Sequence, residues 1–317
     1  MRPATQPAPV PDPQVRRWIR RQLEVAPPRA PSLIITVWGD AIAPHGGAVM
    51  LPGLIRLLAP LGINERLVRT SVFRLARQDW LKATPIGRRS LYRLTREGAR
   101  RFEQAYRRIY APPVEGWDDT WELVVANGSS AAQRRALKLE LAWEGFGTLA
   151  SGVYARPATT PSAVPRIAAA LHLARRIVVV RAHDDTMLGG QTLASIAARA
   201  WDLAGLAADY RRFLLRFGSV IDRFRVAGRI AHDPAQAFIV RTLLIHAYRR
   251  VLLRDPQLPS VLLPLDWPGA AAYALCRDFY RLTHRAAERH LLATLQDARG
   301  ALPPASAAFY HRFGGLG

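Results

Sequence analysis

One cysteine, Cys276, stands in 317 residues, so no disulfide can form within the chain and a reducing, cytoplasmic setting is expected. No uninterrupted apolar run approaches the ~18 residues that a membrane span needs, so no membrane partner is expected. The Pro-rich opening, MRPATQPAPVPDP, lacks the apolar segment of a secretory signal. There is no Gly-rich phosphate loop of P-loop or Rossmann spacing and no Gly-x-Ser-x-Gly elbow, so neither catalysis nor a cofactor is predicted. Negative charge is scarce as well. Against 24 acidic residues stand 45 basic ones, a net charge of +21 and a pI near 11.4. That imbalance points to a polyanionic partner: nucleic acid first, an anionic membrane or acidic ligand second. Lysine is nearly missing, since all but Lys82 and Lys138 of the basic residues are arginine. With alanine abundant, part of the positive charge reflects composition alone.

What is present concentrates in residues 51–95. Pro52 suits the first turn of a helix, which needs no backbone donor there. Leu54, Ile55, Leu57 and Leu58 give that helix an apolar face, and Pro60 and Gly62 stop it. Asn64 is a good N-cap for a second helix over residues 65–78, with Glu65 in its first turn. At roughly 100° per residue, Val68, Ser71, Val72 and Leu75 share one face. Arg66, Arg69, Thr70, Arg74 and Arg77 share the other, where guanidiniums can bridge guanine edges or clamp phosphates. Phe73 points with the arginines, so it either packs on a neighbouring element or touches a thymine methyl. Residues 80–84 and 90–94 read as strands joined by 85–89, with Arg88 and Arg89 at the tip and Tyr92 behind them. The whole reads as a winged helix-turn-helix that binds double-stranded DNA. An Arg-faced helix alone is commonly just a solvated face; it is the order of the parts that is specific.

The rest of the chain predicts an α+β protein of several domains. Residues 1–30 hold a disordered tail and a basic amphipathic segment over 14–25, either a membrane-surface helix or a clamp on the DNA-binding domain or a partner subunit. Residues 31–111 form the DNA-binding domain, opening on a helix over 32–43 capped by Ser32; from Pro31 to Ala111 the net charge is +9. Residues 117–188 alternate strand and helix, with strands at 120–127, 146–154 and 176–183 and room for one more short strand, which suggests a ferredoxin-like α+β domain. Residues 189–300 form a helical effector and dimerisation domain, with helices near 190–224, 234–254 and 268–297. Residues 301–317 are expected to be loose.

Two separated stretches carry a family likeness. GINERLVRT at 62–70 and GRRSLYRLT at 87–95 resemble the recognition region of the PaaX-type repressors of phenylacetate catabolism. LIHAYRR at 244–250, DPQLP at 255–259 and LPLDWPG at 263–269 are similar to that family's second signature. The resemblance covers about residues 30–300. It implies a cytoplasmic homodimer that binds an operator, represses transcription and is released by an aryl-CoA thioester, phenylacetyl-CoA in the best-known members.

Such a thioester needs cations for its phosphates and an apolar pocket for its acyl end. Arg241, His246, Tyr248, Arg249, Arg250, Asp266 and Trp267 are the candidates. Each also has a structural role open to it: a core histidine, a buried indole, a solvated or paired arginine. No metal site is predicted. His284 and Glu288 have ligand spacing without a third ligand, and a solvated pair is expected there. Asp118, Asp119 and the run His183-Asp184-Asp185 keep open a metal-dependent, nucleic-acid-processing alternative. An aryl-CoA-binding enzyme is the other.

Overall fold

The structure, a computed structural model, describes residues 10–112, 116–127, 130–183, 195, 199–227 and 232–316. They fall into two compact units. The first contains Met1–Ala111, Phe213–Arg249 and Ala271–Gly317; the second contains Pro112–Arg212 and Arg250–Ala270.

The first unit opens on helix α1 (Pro13–Val25), capped by Asp12. Its apolar residues Val15 and Ile19 are buried, and Trp18 meets the Phe217 ring at 5.4 Å. The segment is therefore a clamp on helices of its own unit, not an open membrane-facing surface. Helix α2 (Ala30–Val37) follows, continued by a π-turn (Trp38–Ile42) and a 3-10 turn (Ala43–His45). Ser32 lies inside α2 and caps nothing. Pro31 explains the earlier start: a proline in the first turn costs no hydrogen bond, so it begins this helix rather than ending the preceding segment.

Then come the elements that residues 51–95 predict: α3 (Leu51–Leu58), a 3-10 turn (Ala59–Leu61) closed by left-handed Gly62, and α4 (Glu65–Arg77). The antiparallel pair β2 (Leu81–Ile86) and β3 (Arg89–Leu94) follows, and helix α5 (Arg96–Tyr110) after it. A short strand β1 (Ala48–Met50), which three residues could not announce, pairs with β3 to give the order β1-β3-β2. The hairpin is longer than residues 85–89 suggested. Pro85 pairs with Ser90 inside the ladder, because β2 is an edge strand and can spare a donor. Gly98 at the start of α5 is obligatory: a Cβ there would lie 2.2 Å from the Trp80 carbonyl oxygen.

In the second unit the order is β4 (Trp121–Ala126), α6 (Ala131–Trp143), β5 (Gly147–Ala150), β6 (Val153–Pro157), α7 (Val164–Ala170) and β7 (Ile177–Ala182). Residues 146–154, read as one strand, are a hairpin: a turn at Ser151–Gly152 divides them. The antiparallel sheet runs β5-β6-β4-β7. Its face under α6 and α7 buries Val124, Leu137, Leu141 and Ile167. On its other face Trp121 and Ala155 meet Trp117 and Trp201. Glu122 and Arg156 form a buried ion pair at 2.8 Å across β4 and β6.

The helical region 189–300 is not one separate domain. Helix α8 (Leu203–Ala227) and α9 (Pro234–Leu252) contribute from Phe213 to Arg249 to the first unit, as does nearly all of α10 (Gly269–Thr294). The buried aromatic residues of α8 and α10 explain why: Phe217 packs on α1, and Tyr280 lies 6.1 Å from Tyr110 of α5.

The tail is likewise not loose. After a two-strand ladder, β8 (Gln296–Asp297) with β9 (Gly300–Ala301), helix α11 (Ala307–Tyr310) leads to Arg312, which is 1% exposed. Leu302, Phe309, Phe313 and Leu316 are buried too. The Arg312 guanidinium donates to the Asp40 carbonyl oxygen at 2.7 Å and to the Tyr280 hydroxyl, and it stacks 4.1 Å over the Tyr110 ring. Asp40 itself accepts from the hydroxyls of Tyr110 at 2.6 Å and Tyr280 at 3.0 Å. Arg241 stands 3.4 Å from Asp40 Oδ2, an ion pair without hydrogen-bond geometry, and bonds Glu288 at 3.2 Å. Removing one partner from a buried ion network strands the others. Arg312→Ala is therefore expected to destabilise the first unit by about 3–5 kcal/mol, readable as a lowered urea midpoint. A loss below about 1 kcal/mol would show that Asp40 is satisfied without it.

His45 completes the network. Its Nε2 lies 2.7 Å from Glu288 Oε2 and its Nδ1 2.7 Å from the Pro303 carbonyl oxygen. Both neighbours are acceptors, so the geometry suits an imidazolium. Burial alone would lower the His45 pKa; the hydrogen bonds to Glu288 and Pro303 outweigh it and raise the value above its ordinary 6.5. A raised folded pKa stabilises fully below 6.5, and that contribution fades as pH climbs through the folded value. Buried His232 and His284 and half-buried His290 shift the other way, so the wild type alone does not isolate the effect. The stability gap between wild type and His45→Gln should be widest at pH 6 and narrow toward pH 9 in thermal melts; a gap independent of pH would assign His45 a neutral role.

Candidate nucleic-acid interface

The predicted faces of α4 are the observed ones. Val68, Ser71, Val72 and Leu75 are buried, while Arg66, Arg69, Thr70, Phe73, Arg74 and Arg77 are exposed. The helix starts where it does because the Asn64 side chain accepts from the Leu67 N–H at 2.9 Å. Asn64 is thereby a cap first, and only its amide N–H groups remain to offer. Glu65 holds Arg69 at 2.7 Å, with both side chains 57% exposed. A pair that open contributes only a few tenths of a kcal/mol, about 0.3–0.5, so it orients Arg69 without locking it. Thr70 donates its hydroxyl proton to the Arg66 carbonyl oxygen at 2.9 Å. Among the described residues, Arg66, Arg74 and Arg77 enter no ion pair on this face.

The β2–β3 hairpin carries two more cations. Gly87, with φ of +57°, turns the chain so that Ile86 pairs with Arg89, which leaves Arg88 in the turn and both arginines exposed. Tyr92 lies within β3, half-buried, opposite Val49 and Ala83. Behind the hairpin, the arginines of α5 are differently placed. Arg100 and Arg101 clasp Glu97 and hold its carboxyl down at about 2, the Arg100 hydrogen bond first among the causes. The first unit thus sets Arg100, Arg101 and Arg107 of α5, each paired with a helical carboxylate, apart from Arg66, Arg74 and Arg77 of α4, which are in no ion pair among the described residues.

The effector candidates are divided between the two units. Arg241, His246, Tyr248 and Arg249 belong to the first unit; Arg250, Asp266 and Trp267 belong to the second. Arg241 is fully buried between Asp40 and Glu288, and His246 Nδ1 shares a 2.8 Å hydrogen bond with the Thr36 hydroxyl. Tyr248 is 2% exposed, its ring 5.7 Å from Phe213, and Arg249 reaches Ser32 Oγ at 3.3 Å. In the second unit Arg250 is exposed, Asp266 pairs with Arg211, and the Trp267 ring packs edge-on to Tyr210 at 5.8 Å. The indole also covers Gly269, where a Cβ would sit 2.4 Å from Nε1.

His284 and Glu288 are not a solvated pair. His284 is buried with Nδ1 against the Arg281 carbonyl oxygen, and Glu288 faces His45 and Arg241. Asp118 accepts from the Thr120 N–H at 3.1 Å, its pKa lowered first by the Thr120 side chain and then by this backbone hydrogen bond, and His183 Nε2 meets the Thr120 hydroxyl at 3.0 Å. Asp184 and Asp185 lie outside the described residues. Among the described residues no three His, Cys, Asp or Glu side chains converge as metal ligands, and no helix is long and apolar enough to cross a membrane. Sequence reasoning missed Asp40, His45 and Arg312 altogether. The one available signal was Phe309 and Phe313 spaced four apart around a lone arginine.

The first unit thus carries an exposed, arginine-rich helix and an exposed, arginine-tipped hairpin. Three family models match the chain in order: PaaX-like protein over residues 29–98, PaaX protein central Cas2-like domain over 114–196, and PaaX-like protein C-terminal domain over 201–293. Transcriptional repressor PaaX of Escherichia coli K12 is 33% identical over 299 residues, 94% of either chain. The chain belongs to the PaaX family of transcriptional repressors. Among solved structures, an uncharacterised protein, Rv0674 of Mycobacterium tuberculosis, is 26% identical with a TM-score of 0.55, covering 83% of this chain and 98% of its own.

If Arg88 and Arg89 each neutralise a phosphate, replacing both with alanine lowers the slope of log K against log salt by roughly 1.8. An unchanged slope in fluorescence titrations on duplex DNA would remove the hairpin from the contact set.

Proposed function

We propose that this protein is a repressor of an aromatic-acid catabolic operon of the phenylacetate type, acting as a cytoplasmic homodimer and not as an enzyme. In this reading the first unit's α3, α4 and hairpin are a winged helix-turn-helix, and the four-stranded sheet with α6 and α7 is a ferredoxin-like domain. The observation that carries the reading is the row of unpaired, exposed arginines on α4 beside the arginine-tipped hairpin, in a chain 33% identical to a transcriptional repressor. Arg66, Arg69, Arg74 and Arg77 enter the major groove, with Asn64 and Glu65 setting where the helix begins and how Arg69 leans. Arg88 and Arg89 hold phosphates, with Tyr92 bracing the strand. A two-fold dimer presents a second α4 to an adjacent major groove, ~34 Å along the duplex.

An aryl-CoA thioester is the proposed effector. Arg249, Arg250 and Trp267 are the candidates with surface to offer a ligand. Arg241, His246 and Tyr248 are buried, and Asp266 is tied to Arg211. The thioester releases the operator by favouring a dimer whose α4 helices no longer match the two grooves, which requires tighter binding to that form.

A gel shift on the duplex upstream of the gene tests this, with and without phenylacetyl-CoA. A specific complex dissolved by the thioester is the expected result, with the thioester recovered unchanged by mass spectrometry. A specific complex that survives excludes this effector; a cleaved thioester or nicked DNA excludes the regulator reading.

A further inference from the structure

Phe73 is the residue on α4 that the arginines do not explain. At 62% exposure its ring stands largely in solvent. It is not at the margin of the buried face either. With about 100° per residue, Phe73 lies roughly 150° from the centre of the Val68, Ser71, Val72 and Leu75 stripe, almost diametrically outward. Arg66, Thr70, Phe73 and Arg77 form one row along the helix, with Arg69 and Arg74 on either side. A lone exposed aromatic is ordinary on a protein surface. An aromatic ring in the middle of five polar or cationic residues is not.

The charge around it limits what can cover it. Another apolar protein surface would have to bury several guanidiniums along with the ring, which costs several kcal/mol per unpaired ion, on the order of the whole contact. A polyanion covers the arginines at a gain. Of the base edges that a major groove displays, only one carries an apolar group, the C5-methyl of thymine. Thr70 supports the same partner: with its hydroxyl proton committed to the Arg66 carbonyl oxygen, it is left with a methyl group and an acceptor.

We propose that Phe73 is a specificity-determining residue that reads thymine through its C5-methyl group, at a base pair flanked by the contacts of Arg66 and Arg77. The proposal rests on the operator-binding reading above. It assigns the arginines to phosphates and guanines and gives the apolar part of the recognition to Phe73. Burying one methyl against the ring is worth about fourfold in affinity.

The test uses the full-length protein and the footprinted operator, prepared enzymatically so that thymine is its sole source of C5-methyl groups. Thymine is then replaced by deoxyuridine, which removes the methyl and keeps every hydrogen-bonding group. Wild type is expected to bind the deoxyuridine operator at least about fourfold more weakly, and Phe73→Ala to bind the two alike. Phe73→Leu, which keeps an apolar tip, should retain part of the preference. Melting temperatures of both variants should match wild type, since the side chain is exposed. A specific wild-type complex indifferent to the methyl overturns the inference alone, as does a Phe73→Ala protein that keeps the full preference. Absence of any sequence-specific complex overturns the operator reading, and this inference with it.

Discussion

Asp40 is the constraint on which the first unit depends. A carboxylate buried to 2% exposure has to be neutralised where it stands, and the chain does so with groups from four distant segments. Tyr110 comes from the end of α5, Arg241 from α9, Tyr280 from α10, and Arg312 from the tail. Arg241 passes its remaining charge to Glu288, and Glu288 passes its own to His45, three residues past the π-turn that holds Asp40. The ring of contacts closes on itself. Each member is costly alone and tolerable only with the others, so segments from both ends of the chain belong to one unit.

That closure bears on the interface. The helix before β1 is pinned by Asp40 and His45, and β1 sets the third strand against which the hairpin lies. Helix α5 is pinned at its far end by Tyr110, and at its start Thr95 donates its hydroxyl to the Asp79 carbonyl oxygen and its N–H to that of Trp80. The exposed arginines of α4 and the hairpin therefore stand on a frame whose buried charges are paired with one another.

The parts legible in the sequence are those decided within a few residues. The faces of α4, its Asn64 cap and the Gly87 turn follow from spacing and local hydrogen bonding, and each is where periodicity put it. The Pro31 start and the Pro85 edge strand were misread because the meaning of a proline depends on which backbone donor is missing, and that is known only once the neighbours are placed. What the sequence concealed is long-range. Arg312 in a tail rich in Pro, Ala and Gly looks like a solvated cation until Asp40, 272 positions away, is seen to need it. Glu288 looked like the partner of His284 at helical spacing; the true partner, His45, is 243 positions away. Composition had already warned that arginine is abundant here, and abundance hides the few that matter.

The same reasoning separates the arginines by role. Arg241 and Arg312 have counter-charges and aromatic walls, and they are fully buried. Arg100, Arg101 and Arg107 have helical carboxylates one turn away and solvent beyond. Arg66, Arg74 and Arg77 have an aromatic ring in their midst and no carboxylate on their face. A protein with +21 of formal charge can place cations anywhere on its surface, so the presence of arginine on α4 carries little information by itself. The withheld carboxylates carry more. Glu65 touches only Arg69, at the helix start where the dipole favours a negative charge, and beyond it the face stays positive to its end. A surface built merely for solubility would mix the signs. One that keeps them apart, around an exposed ring, is built to be covered by a negative partner with an apolar group to offer.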